Sequence, residues 1–490
     1  MNFASWPFIG LFLPLTLVAF HAVRGNNSAR IRQFLLIIAS FVFYAWAGWL
    51  DFSVFLASIA VNYGAGHLLT TKAQWTRSQR KTLMWVAVAA NIAFLFGFKV
   101  RLLGVTDNTG FNATEQIYIP LAISFYTFQQ LGFVAGCYRR QITQASPANY
   151  LFFVAFFPHL VLGPILRFQD IDQQIRKNAL AHVTGADMCT GLSIFIFGLS
   201  KKLLVADRLA PTIDQLFNVT SYSAMSAGDM WFAIIAFQLQ LFLDFSAYAD
   251  MAIGLGKMVG IRMPINFDRP HFATDRFDLW RRWHISFVIF MRTNVFLPIV
   301  RHWKWPVPAA LATTGILSGL WHGLGWTFVA WGLLQTAIML GTHYRNKYWR
   351  RQGSASRYIS VQRIAATFTV TCLVGALFRS PDLVAIANIG QSLGSFATPP
   401  GIIATLPLSV WLTAALAVAL VWVLPDTPQL FRKHWTAIDM RPDGKPQPIH
   451  WMERWLPPLL SARWAIIMAA LFVMCLLRLG AAQRFVYVQF

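Results

Sequence analysis

Two histidines each follow a tryptophan within stretches apolar enough to enter a bilayer: Trp283-His284 and Trp321-His322. Imidazole is the side chain best suited to take up and return a proton near neutral pH. Ionisable groups at membrane depth are costly, which makes each histidine a candidate functional residue. Two of them in one chain suit acid–base chemistry inside a protein-lined cavity. The same residues also fit an aromatic belt at the headgroup level, and the local sequence leaves both readings open.

A third polar group lies in Leu241–Gly256, where Asp244 and Asp250 interrupt an otherwise apolar helix. Six residues apart, they fall on different faces, so they form neither a paired acid and base nor a carboxylate metal site. Asp244 and Tyr248, four apart, share a face. The alternative is that these groups bond to neighbouring helices and hold the bundle together. Pro264-Ile265-Asn266-Phe267-Asp268-Arg269-Pro270 then breaks the helix and leads back to Trp280-Arg281-Arg282-Trp283-His284. Cys137, Cys189, Cys372 and Cys475 are scattered without a Cys-x-x-Cys spacing, so neither a disulfide framework nor a metal site is expected.

These groups must be positioned by membrane helices. The 490 residues are 56% hydrophobic and only 12% charged, with 20 Trp and 42 Phe. Mean hydropathy is +0.51. Soluble domains carry about 25% charged residues, so the class is an all-α polytopic integral membrane protein. The net charge of +22 does not indicate nucleic acid, because the basic residues fall in short connections between apolar runs. There they set topology and meet anionic headgroups. No cleavable signal is evident, and residues 3–23 read as the first membrane helix.

Apolar runs of about 20 residues recur near 3–23, 31–49, 52–69, 83–100, 117–137, 150–166, 189–206, 230–255, 285–300, 307–325, 326–343, 363–378, 403–424 and 464–480. Those at 150–166, 285–300 and 307–325 are short or broken, which predicts re-entrant or half helices. About 11–13 elements at membrane depth are expected. Arg24, Arg30 and Arg32, then Lys72, Arg77, Arg80 and Lys81, then Arg139 and Arg140 mark alternate loops as cytoplasmic and the N-terminus as outside. Against them stand Asp51 in the second loop and Arg101 with Asp107 and Glu115 in the fourth. Residues 344–362 and 425–463 read as polar connections.

The runs Asp244-Phe245-Ser246-Ala247-Tyr248-Ala249-Asp250-Met251-Ala252-Ile253-Gly254, Pro264-Ile265-Asn266-Phe267 and Phe277-Asp278-Leu279-Trp280-Arg281-Arg282-Trp283-His284-Ile285-Ser286 resemble the core of the membrane-bound O-acyltransferases. They are most similar to the bacterial branch that acetylates alginate and related exopolysaccharides. Ile123–Gln129, Phe156–Ile165, Leu317–Gly323 and the final Phe485–Phe490 are similar too, so the likeness spans nearly the whole chain in order.

The resemblance implies one membrane domain, with N-terminal helices in 1–140, a catalytic core in 141–343 and C-terminal helices in 344–490. It implies a helical bundle around a transmembrane tunnel in the bacterial inner membrane. His322 carries over as the catalytic histidine and His284 as its supporting partner. Trp321, Trp283, Arg281, Arg282, Asp244, Tyr248, Asp250 and Asn266 carry over as substrate-binding or supporting residues. Arg281 and Arg282 suit phosphates, whether of coenzyme A or of lipid headgroups.

The implied reaction moves acetyl from cytoplasmic acetyl-CoA, with no permanently bound cofactor and no metal. The implied partners are the lipid bilayer, a periplasmic acetyltransferase with a serine nucleophile, and polysaccharide synthesis and export machinery. One departure stands out. Where the branch continues with Arg-Asp-Tyr and a Gly-Gly turn, this chain reads Met291-Arg292-Thr293-Asn294-Val295-Phe296-Leu297-Pro298-Ile299-Val300-Arg301-His302. D-alanyl transfer from a carrier-protein thioester to teichoic acid, and a polysaccharide or lipid transporter, are the competing readings.

Overall fold

A computed structural model describes residues 1–72, 74–100, 120–217, 225–349, 357–394, 401–431, 452 and 456–481. Among the described residues the regular structure is helical throughout. Six helices are long and apolar enough to cross a membrane: Ser28–Ala45, Trp49–Thr71, Arg77–Lys99, Gly185–Phe217, Ala227–Met258 and Ser360–Arg379. A seventh candidate is the pair Arg276–Arg282 and Ile285–Arg301, bent by 110° at its break. Pro7–Ala22, Leu383–Gly394, Leu408–Trp422 and Ala462–Leu476 are shorter apolar helices. The protein is therefore an all-helical, multi-pass membrane protein with broken elements at membrane depth.

Two of the expected boundaries move. The Trp326–Trp349 helix continues through His343-Tyr344-Arg345, and the next helix begins at Arg357, so much of the polar stretch 344–362 is helical. Apolar length marks where a helix can meet lipid, not where its backbone hydrogen bonding must stop. The helix begun near residue 189 likewise runs on to Phe217 through a π-helical turn at Lys201–Ala206. Arg101, Asp107, Glu115, most of 425–463 and the final 485–490 lie outside the described residues.

The chain divides into two compact units. Of the described residues, 1–195 and 251–264 form one, and 196–250 with 265–431 and 456–481 form the other. In the first unit, Arg32 is buried and donates to the carbonyls of Phe20 (3.0 Å), Val23 (2.9 Å) and Leu180 (2.7 Å). Arg80 similarly donates to the carbonyls of Leu69, Cys137 and Tyr138. Both satisfy helix-end carbonyls that have no intrahelical partner. They are internal fasteners, so the charge bias read for topology rests on the other loop cations.

In the second unit, the Ala227–Met258 helix carries Asp244 and Asp250, and each meets a lysine from the π-helical turn. Lys202 Nζ lies 2.7 Å from Asp207 and 2.8 Å from Asp244. Lys201 Nζ lies 2.6 Å from Asp250, which also accepts from the Thr427 hydroxyl. The wider π turn lets two consecutive lysines reach carboxylates six residues apart.

Candidate active site

His284 sits at the break of the bent pair. The backbone of 266–268 runs beside 282–285, with Ile285 N donating to Asn266 O (2.9 Å) and Asp268 N donating to Arg282 O (2.9 Å). Asn266 Oδ1 accepts from the Ser286 amide (3.2 Å) and hydroxyl (2.9 Å), which identifies that atom as the oxygen. His284 Nδ1, 3.2 Å from the same oxygen, must therefore donate. In the neutral imidazole this leaves Nε2 as the acceptor. Asn266 thus sets the tautomer of His284. His284 also has φ +46° and ψ +50°, a left-handed conformation that costs a residue bearing a Cβ about 1–2 kcal/mol. Such strain persists where the surroundings over-determine it.

His322 is the last residue of the Val307–His322 helix, followed by extended Gly323. That helix forms a hairpin with Trp326–Trp349 through glycines that allow backbone contact. A Cβ on Gly319 would stand 2.1 Å from Phe328 O, and one on Gly332 would stand 2.3 Å from Gly315 O. The close approach fixes His322 at the hairpin's turn. Gly319→Ala is expected to push the two helices apart, lowering stability by about 1–3 kcal/mol and activity with it. Thermal unfolding and acyl transfer measured on the same detergent preparation check this.

The two histidines share one cavity of about 70 Å³, lined also by Gln238, Leu241, Arg276, Trp280, Trp283, Phe287, Trp331, Gln335, Thr371 and Phe378, among others. Phe287 and Trp321 contact both imidazoles. Phe287 stacks on His284 at 5.0 Å and lies 6.0 Å from His322, while Trp321 is 4.7 Å from His322 and 6.3 Å from His284. Trp331 and Phe378 meet the other side of His322 edge-on, at 5.4 and 4.9 Å. The aromatic walls hold the two imidazoles in place.

The other sequence candidates divide. Trp283 lines the cavity, Trp321 packs against both histidines, and Asn266 holds His284. Asp244 and Asp250 are instead ion-paired to Lys202 and Lys201, and neither lines the cavity. Tyr248 is buried and does not line it either. Arg282 pairs with Asp278 at 2.8 Å, and Arg281 is exposed. An apolar helix accommodates a carboxylate by pairing it, so proximity in sequence to a reactive histidine did not mean proximity to its cavity.

Arg276 is the residue that sequence reasoning missed. It lies eight positions before His284, is 4% exposed, and lines the cavity. Its Nε and Nη2 both donate to Gln335 Oε1, with Nε at 2.8 Å, and Nη1 donates to Thr371 Oγ1 at 2.9 Å. The only available signal was an arginine within the polar run between the helix break and the Trp-Arg-Arg-Trp-His stretch.

Residues 41–376 match the family model of the membrane-bound O-acyltransferases. The chain is 33% identical over 409 residues to a probable alginate O-acetylase of Azotobacter vinelandii, covering 81% of this chain and 78% of that protein. It is 30% identical over 419 residues to a peptidoglycan O-acetyltransferase of Helicobacter pylori, covering 77% and 76%. A teichoic acid D-alanyltransferase of Streptococcus thermophilus is 25% identical over 242 residues, which is 45% of this chain and 56% of that protein. The chain belongs to the membrane-bound O-acyltransferase family and is an O-acyltransferase.

Proposed function

We propose that this protein takes acetyl from cytoplasmic acetyl-CoA and passes it across the bacterial inner membrane for O-acetylation of an exopolysaccharide, through a periplasmic acetyltransferase that supplies the serine nucleophile. The observation that carries the reading is the pair His322 and His284 on one aromatic-walled cavity. His322 is the base that accepts the acceptor's hydroxyl proton. His284, its tautomer set by Asn266, presents Nε2 as a hydrogen-bond acceptor in the same cavity and supports that base. The similarity to alginate and peptidoglycan O-acetylating proteins supports a polysaccharide as the final acceptor. The basic loops at Arg24 and Arg30, at Arg77 and Lys81, and at Arg139 and Arg140 support an outside N-terminus.

The cavity's size supports a short acyl group. About 70 Å³ takes roughly five water-sized groups, which is ample for two carbons and an oxygen. Phe378→Ala opens the wall beside His322. It is expected to raise propionyl transfer relative to acetyl by about fourfold, the worth of one buried methylene. Competition between the two thioesters in one reaction reads this directly.

The reading is tested with membranes supplied with labelled acetyl-CoA and followed for label in polysaccharide and in periplasmic protein. Label in either supports it, and the labelled species shows whether the group is relayed. Labelling that needs a carrier-protein D-alanyl thioester, with acetyl-CoA inert, establishes instead the activity that the D-alanyltransferase similarity suggests.

A further inference from the structure

Arg276 presents a charge that its surroundings do not neutralise. Among the described residues no carboxylate pairs with its guanidinium, although it is 4% exposed. Nearby Asp278 is paired to Arg282, and Asp275 caps the Asp278 amide. A guanidinium has five N–H donors. Gln335 Oε1 takes two and Thr371 Oγ1 takes one, leaving one N–H on each terminal nitrogen. Trp280, 5.5 Å from Cζ, adds a cation–π contact and holds the plane of the group.

An isolated buried cation is among the costliest groups a protein can keep. Here Gln335, Thr371 and Trp280 hold it rigidly in the wall of the cavity that contains both histidines. The cavity accommodates a two-carbon acyl group beside both histidines. An anion fitting beside the acyl carbon is the oxygen that becomes charged during transfer.

We propose that Arg276 is a catalytic residue that stabilises the oxyanion of acyl transfer, its two remaining N–H groups donating to the carbonyl oxygen as that oxygen becomes negative. The inference rests on the acetyl-transfer reading above. In the step, the acceptor hydroxyl oxygen bonds to the thioester carbon as its proton passes to His322, and the carbonyl π pair moves onto oxygen. Collapse restores the carbonyl and breaks the C–S bond, and the departing thiolate takes the proton back from His322. The charge on oxygen appears and vanishes within the step, so a donor fixed there accelerates chemistry more than it tightens binding.

The test is steady-state acetyl transfer by full-length wild type, Arg276→Gln and Arg276→Lys, with Gln335→Met as a variant that keeps the charge but frees it to move. Arg276→Gln is expected to lose about 10²–10³-fold in kcat while KM for acetyl-CoA stays within about threefold. Arg276→Lys, a cation without the planar fork, is expected to recover part of the loss. Gln335→Met is expected to lower kcat less than Arg276→Gln, again without moving KM. Unchanged kcat in Arg276→Gln and Gln335→Met, with wild type active, overturns the inference and leaves the acetyl-transfer reading standing. A raised acceptor KM with normal kcat also overturns it, since the arginine would then be reading the acceptor. Loss of kcat that only follows a lowered melting temperature in all three variants overturns it too. Wild type inert with acetyl-CoA fails the underlying reading instead.

Discussion

His322→Ala is expected to reduce acyl transfer by about 10²–10⁴-fold, the usual contribution of a positioned general base, while leaving the protein folded. The imidazole terminates its helix and is only half-buried, and the aromatic rings around it contact one another independently. Phe287 stacks on Trp321 at 4.7 Å, and Trp331 meets Phe378 at 5.7 Å, so the walls have support without His322. His284→Ala should cost less in rate and more in order, because His284 is 3% exposed and packs on Phe245 at 4.7 Å. Asn266→Leu provides the intermediate case. It leaves both imidazoles in place but removes the oxygen that fixes the His284 tautomer. Single-turnover transfer by the three variants at matched membrane levels is the measurement. Equal activity in His322→Ala and wild type would contradict the assignment of the base.

Lys202→Met is expected to destabilise the protein by about 3–5 kcal/mol, the cost of removing one partner from a buried ionic group. The lysine is 1% exposed and bridges Asp207 and Asp244, so the substitution takes a cation away from two buried carboxylates at once. Lys201→Met should cost less, because Lys201 pairs with one carboxylate, Asp250, rather than two. Restoring neutrality in Lys202→Met/Asp207→Asn/Asp244→Asn should recover much of the loss, since the penalty belongs to the unpaired charges rather than to the missing lysine. Apparent melting temperatures in one detergent order the variants. A Lys202→Met variant as stable as wild type would show that the carboxylates are neutral or water-bridged in the native state.

The class of the fold was open to sequence reasoning because lipid imposes a plain rule, about 20 apolar residues per crossing. The break at Pro264–Pro270 was visible because proline and polar runs cannot continue an apolar helix, whereas of the bent pair only the short, broken character of 285–300 was. The helical continuation through His343-Tyr344-Arg345 was not visible, because hydropathy is silent on helices that leave the membrane. At the site, His284 and His322 announced themselves as ionisable groups beside tryptophan. The aspartates did so equally, yet the structure pairs them with Lys201 and Lys202, whose reach depends on a π turn that no spacing rule forecasts. Arg276 was hidden for the opposite reason. A lone arginine near other arginines reads as a loop cation, and only burial without a carboxylate distinguishes it.

The lysine–aspartate lattice also bears on how the chain enters the membrane. The helix bearing Asp244 and Asp250 carries about 5–7 kcal/mol of insertion penalty from those two side chains at mid-bilayer. The preceding 185–217 segment, with Lys201 and Lys202, is penalised in the same way and emerges first from the ribosome. Each is apolar enough to cross a membrane, yet each carries charge that the other pairs. The earlier segment therefore has reason to wait beside the insertion machinery until residue 250 has been synthesised, so that the two leave for lipid as a pair. The ion pairs would then act as an assembly checkpoint during biogenesis as well as a fastener in the finished bundle.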